Sequence, residues 1–149
     1  MNNDLGIVID STISREEILL IVNLYQQFST FSELNQFVMF TTAPSSLNDI
    51  PQLPIEKASF FKGNILLFNN NMLLFAKNFF NYNRIIYYIT KPDWLFIAAN
   101  NSNKSIKSLY NETRDLQIHT NNKNVHDLYK NMWGDNINLG DLSYEKTIY

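Results

Sequence analysis

A chain of 149 residues, 45% apolar and 14% aromatic, is one domain's worth of sequence and buries well over half of its unfolded surface, so wholesale disorder is excluded. A formal charge of -2, a pI near 5.6 and scattered lysines and arginines exclude the basic face of a nucleic-acid binder. The absence of cysteine removes disulfides, thiolate zinc sites and cysteine nucleophiles.

Met1-Asn2-Asn3-Asp4 has no positive leader region, and the apolar run Leu5 to Ile9 is too short for a signal core. No run approaches a membrane span. The expected setting is cytoplasmic (the host cytoplasm if the source is viral) or the virion, with no membrane partner. Asparagine clusters at 69–71, 100–101 and 121–122 carry the mark of an AT-rich, compact genome, bacterial or viral.

Leu5-Gly6-Ile7-Val8-Ile9 is a nearly continuous apolar run, as in a strand covered on both faces. Ser14-Arg15-Glu16-Glu17 then forms a capping box. Behind it Ile18, Ile21, Val22, Tyr25 and Phe28 recur at helical spacing, with Leu19 and Leu24 widening the apolar face. Phe37 to Phe40 reads as a second strand ending at Thr41-Thr42. Residues 43–55, with Pro44, Pro51 and Pro54, read as a loop whose roles include a lid, an acceptor-site loop or a surface meander.

Ala58 to Phe61 and Gly63 to Phe68 read as two short strands broken at Lys62-Gly63. Asn70 or Asn71 caps a helix whose inner face is Met72, Phe75, Ala76, Phe79 and Phe80. Arg84 to Thr90 is a β-branched and aromatic strand halted by Pro92, with a short helical turn beyond it. A polar helix from about Asn103 to Asn111 carries Ile106, Leu109 and Tyr110. Leu116 to His119 alternates as a last strand, and Val125, Leu128, Tyr129 and Met132 form a final helix stopped by Gly134.

Strands alternating with helices predict an α/β fold: a single Rossmann-like domain over 1–134, its mostly parallel sheet of five to six strands carrying helices on both faces. Residues 135–149 read as a polar tail or contact arm, with Tyr110, Tyr144 and Tyr149 as exposed aromatics suited to an interface.

A parallel sheet gathers its strand ends on one edge, where ligands bind. The residues there are Asp10, Ser11 and Thr12; Thr41 and Thr42; Asn69 to Asn71; Asp93 and Trp94; and His119 with Thr120. Asp10, Asp93 and His119 are the candidate catalytic residues. Ser11, Thr12, Thr41, Thr42 and Asn70 are candidate polar contacts, and Trp94 a stacking platform. Each has a structural alternative. Asp10 or Ser11 can shape the turn, Asp93 can cap a helical turn while Trp94 fills space, and His119 can simply be solvated or hydrogen-bonded.

His119 and His126 do not form a ligand cluster, so no metal is expected. None of Gly6, Gly63, Gly134 and Gly140 builds a GxGxxG or P-loop, and no GxSxG elbow is present. No cofactor is therefore expected.

Gly63 to Phe80, then Tyr87-Tyr88-Ile89-Thr90-Lys91-Pro92-Asp93-Trp94, then Leu116 to His119 leading into Val125 to Trp133 resemble the amino-terminal half of glycosyltransferase-like proteins of large tailed phages of marine bacteria. The likeness covers roughly residues 57–134. In the two-Rossmann type the nucleotide-sugar site lies largely in a second domain, for which this length leaves no room. The resemblance thus implies the fold and a phage origin ahead of catalysis. Two functions follow as expectations. The first is a non-catalytic binding, assembly or host-interaction factor whose partner is itself, a host protein or a virion protein. The second is a reduced glycosyltransferase-like domain holding a sugar or nucleotide sugar at its strand ends.

Overall fold

The computed structural model describes residues 3–31, 35–47, 49–92 and 103–149. Its elements in chain order are β1 (Leu5–Ile9), α1 (Arg15–Phe31), β2 (Phe37–Thr41), β3 (Gln52–Pro54), a 3-10 helix (Ile55–Phe60), β4 (Asn64–Leu67), α2 (Asn70–Phe79), β5 (Ile85–Tyr88), α3 (Asn103–Glu112), β6 (Leu116–Thr120), α4 (Lys123–Trp133), β7 (Asn138–Leu139) and α5 (Tyr144–Ile148). The strands form one sheet of seven, ordered β3-β2-β1-β4-β5-β6-β7, and every pairing is parallel. The sheet exceeds the expected five to six strands through its short edges, β3 and β7.

Alternation along β1 explains its unbroken apolar run. Leu5, Ile7 and Ile9 pack with Ile21 and Leu24 of α1 and with Tyr144 and Ile148 of α5. Val8 faces the opposite layer, with Leu73 and Ala76 of α2, Leu109 and Tyr110 of α3, and Val125 and Tyr129 of α4. Both faces of the sheet are thus covered, as an all-parallel sheet requires.

Several expectations are corrected by this packing. The loop of 43–55 contains β3, which pairs with β2 through Met39–Gln52 and Phe40–Leu53. Pro54 is tolerated within it because the strand lies at the sheet edge, where one row of amides needs no partner. Ala58 to Phe60 belongs to the 3-10 helix and only 64–67 forms a strand. On α1 the buried apolar residues among those described are Ile21 and Leu24, while Leu19 is 59% exposed. On α2 Leu73 and Ala76 point inward, and Phe79 faces out.

Residues 135–149 are no free arm. They add β7 beside β6 and then α5, whose Tyr144 and Ile148 are buried. Gln27 of α1 accepts the Tyr144 amide at 2.8 Å, and Asn64 of β4 donates to the Thr147 carbonyl at 2.8 Å. Tyr110 is buried as well, so Tyr149 alone of the three named tyrosines is exposed. Asp93, Trp94 and the helical turn after Pro92 lie outside the described residues.

Two glycines meet close approaches of this packing. A β-carbon on Gly6 would lie 2.9 Å from ring atoms of Phe40 and Phe61, which are side chains able to shift. One on Gly63 would run into the Asp4 carbonyl, which accepts the Asn64 amide at 2.9 Å and opens the β1–β4 pairing. Backbone there has nowhere to go. Gly63→Ala should therefore cost at least about 2 kcal/mol and Gly6→Ala distinctly less. Urea unfolding of the two variants tests the ranking, and equal losses would contradict it.

Candidate functional site

β1 leads through α1 toward β2 on one side, whereas β4 leads through α2 toward β5 on the other, so the strand order reverses between β1 and β4. The connections leaving the carboxyl ends of these neighbours diverge, and a crevice opens between them. Its volume is about 340 Å³. The lining comes from the β1–α1 turn (Asp10, Thr12, Ser14), the first turn of α1 (Glu17), the start of α2 (Asn69, Asn70, Asn71) and the end of β5 (Thr90, Lys91), with Phe68 the apolar contribution.

Local sequence builds each wall. Asp10 accepts both the backbone amide of Thr12 at 2.9 Å and its hydroxyl at 2.6 Å, an Asx turn that reverses the chain after β1. Ser14 and Glu17 complete the capping box: the Ser14 amide donates to Glu17 Oε1 and the Glu17 amide to Ser14 Oγ, both at 3.2 Å. Asn69, not Asn70 or Asn71, is the cap of α2, its Oδ1 accepting the Met72 amide at 2.8 Å.

Two hydrogen bonds then cross the crevice. Asn69 Nδ2 donates to Asp10 Oδ2 at 3.1 Å, tying the β4 side to the β1 side. The Thr90 hydroxyl donates to Glu17 Oε2 at 3.2 Å, tying the end of β5 to α1. Glu17 is only 6% exposed and both of its oxygens are engaged. Asn70 is equally buried. The Tyr110 hydroxyl donates to its Oδ1 at 2.7 Å, while its Nδ2 has no partner among the described residues.

The structure brings Asp10, Thr12 and Asn70 together, with Ser11 exposed in the turn between. Thr41 and Thr42 go elsewhere. They line a hollow over β2 and β3 with Pro44, Leu53 and Pro54, on the far side of β1. His119 is not part of the crevice wall, and its Nε2 lies 3.4 Å from Gln117 Oε1. His126 is half-buried beside Asp127. Asp93 and Trp94 lie outside the described residues.

Glu17, Thr90 and Lys91 were not singled out from sequence as site residues. Glu17 reads there as a helix cap, and a capping-box acid directly after the central strand is the signal that places it at this edge. Among the described residues no three His, Cys, Asp or Glu side chains converge as a metal site, and no helix is long and apolar enough to cross a membrane.

A second cavity of about 790 Å³ adjoins the first, with Thr90 lining both. Glu16, Leu19, Leu20 and Asn23 of α1 form one side, and Tyr88, Asn121, Asp141 and Leu142 the other. Burial pushes the Tyr88 phenol above its ordinary pKa, and the charges of Asp141 and Glu16 push it the same way.

Burial chiefly, with the charges of Lys146 and Arg84, holds the His119 imidazole below its ordinary range. The unfolded chain therefore binds the extra proton. This contribution to stability is intact above about pH 6.5, the unfolded value, and is lost as pH falls from there toward the folded one. Urea midpoints at pH 7.5 and 5.5 should differ less for His119→Gln than for the parent chain; parallel shifts would contradict this. Compared with protein-family models, curated proteins and solved structures, the chain finds no match, so the use of the crevice is read from its own chemistry.

Proposed function

We propose that this chain is a binding domain of glycosyltransferase-like type that holds a sugar or a nucleotide sugar in the crevice between β1 and β4. The observation that carries the reading is the crevice itself: open at the reversal of strand order and lined, Phe68 apart, by polar side chains whose polar and apolar atoms share its surface about equally. Such a surface exchanges hydrogen bonds with a polyhydroxylated ligand in several directions at once.

Binding is favoured over catalysis. A general base needs a lone pair facing the reacting proton. Asp10 and Glu17 already accept hydrogen bonds from Thr12, Asn69, Ser14 and Thr90, which gives both a role in holding the walls.

Titration of the labelled protein with common nucleotide sugars and their free sugars is the test. Saturable shifts should concentrate at the amides of Thr12 to Glu17 and Asn69 to Asn71. A flat titration across the whole series would refute the reading.

One observation favours a protein partner as a second role. Phe60 is 79% exposed and Phe79 is 63% exposed, large rings for a free surface. Both lie on elements that cover the α2 face of the sheet. If they serve an interface, sedimentation should show self-association or a complex with a host or virion protein that is lost on replacing both rings by serine. A strict monomer that captures nothing would dismiss this role.

A further inference from the structure

We propose that residues 141–149 form a hinged strap: hung from Gly140, it docks and undocks as one unit against the α1 face of the sheet, and in doing so closes and opens the larger cavity. The strap is independent of what the crevice holds.

The hinge is visible in the backbone. Gly140 has a φ of +141°, a conformation that side chains disfavour, yet a β-carbon there would meet nothing within 4 Å. Packing does not require this glycine; the backbone conformation after β7 does. Up to that point the chain is held to the sheet, by β7 beside β6 and by the Gly140 amide, which donates to the Thr120 carbonyl at 3.0 Å. None of residues 141–149 joins a strand. They run instead from the carboxyl edge of the sheet back to the start of β4, where Thr147 meets Asn64.

Beyond the hinge the segment is knitted to itself. Lys146 Nζ donates to the Asp141 carbonyl at 2.9 Å, the Lys146 amide to Ser143 Oγ at 3.3 Å, and the Thr147 amide to the Ser143 carbonyl at 3.2 Å. Such bonds need no partner in the body, so the segment can lift with them intact. Its hold on the body is different in kind. Leu142, Tyr144 and Ile148 are buried in the layer shared with α1, Gln27 accepts the Tyr144 amide at 2.8 Å, and Asn64 donates to the Thr147 carbonyl at 2.8 Å. Burial favours docking and the ordering of the segment opposes it, two effects of comparable size.

The same segment is one wall of the larger cavity. Asp141, Leu142 and Ser143 line it together with Glu16 and Gln27 of α1. Gln27 therefore serves twice, as cavity lining and as the acceptor that fastens Tyr144. Burial first, then the charges of Asp141 and Glu16, raise the Tyr88 phenol, which lines the cavity too. Two carboxylates that both reach one hydroxyl also repel each other, and that repulsion favours lifting. The strap is thus fastened by Gln27 and loosened by Glu16. A molecule that touches both walls holds it down, and leaves at the rate of lifting.

Native-state hydrogen exchange of the whole chain reads the strap directly. The amides of Tyr144, Thr147 and Tyr149 should exchange at least about 100-fold faster than those of Leu5 and Ile65, which bind across to Gln36 and Arg84. They should do so together and with a weaker dependence on urea. Gln27→Ala should speed the strap amides about threefold to tenfold. Glu16→Gln should slow them, by a factor that shrinks in about 1 M salt. Val125→Ala, in the opposite layer, should speed Leu5 and Ile65 about tenfold and leave the strap amides unchanged. If the strap amides share the rate and urea dependence of Leu5 and Ile65, or Val125→Ala speeds both sets alike, the segment opens only with the sheet and the proposal is overturned. It is overturned as well if neither Gln27→Ala nor Glu16→Gln moves the strap amides.

Discussion

The constraint on which this molecule turns is the placement of β1 in the interior of the sheet, beside the central strand β4. It pairs with β2 on one edge and β4 on the other, and its side chains are buried on both faces. Asp4, just before it, opens both pairings: its carbonyl accepts the Asn64 amide at 2.9 Å, and its carboxylate accepts the Gln36 amide at 2.7 Å. Once β1 and β4 lie side by side with their helices on opposite faces, their exits diverge and an opening at the carboxyl edge is unavoidable. The Asp10–Asn69 and Glu17–Thr90 bonds are what keep that opening at a fixed width.

What the sequence discloses of the fold is what periodicity can carry. β1 and β5 announce themselves as β-branched and aromatic runs, and α1 by its capping box and apolar spacing. β3 and β7 escape because strands of three and two residues have no period, and Pro54 in β3 speaks against a strand unless its edge position is known. Once β7 is missed, α5 looks like a tail, and the burial of Tyr144 goes unseen with it. The misplaced helix residues, Leu19 exposed on α1 and Phe79 exposed on α2 where Leu73 is buried, have a different origin. Apolar residues surround much of both helices, so spacing alone does not say which arc meets the sheet.

The site was legible in the same uneven way. Parallel topology alone brings Asp10, Thr12 and Asn70 to one edge. It does not say which strands are neighbours, and that decides the rest. Thr41 and Thr42 end β2, which adjoins β1 on the side away from the reversal, so they face another hollow. His119 ends β6, two strands from β4. Thr90 and Lys91 enter because the chain continues past β5 toward α1, a path that no local pattern encodes.

Edge residues of this fold divide by what their polar atoms are already doing. Asp10, Glu17 and Asn69 each satisfy two or more neighbours, so the carboxylates most tempting as catalysts are also the ones that tie the sides of the crevice together. Asn70, Asn71 and Lys91 retain donors, and Glu16 and Asp141 retain acceptors. A reaction that drew the Asp10 or Glu17 carboxylate away from its partners would loosen the walls it holds, and on that ground binding is proposed ahead of catalysis.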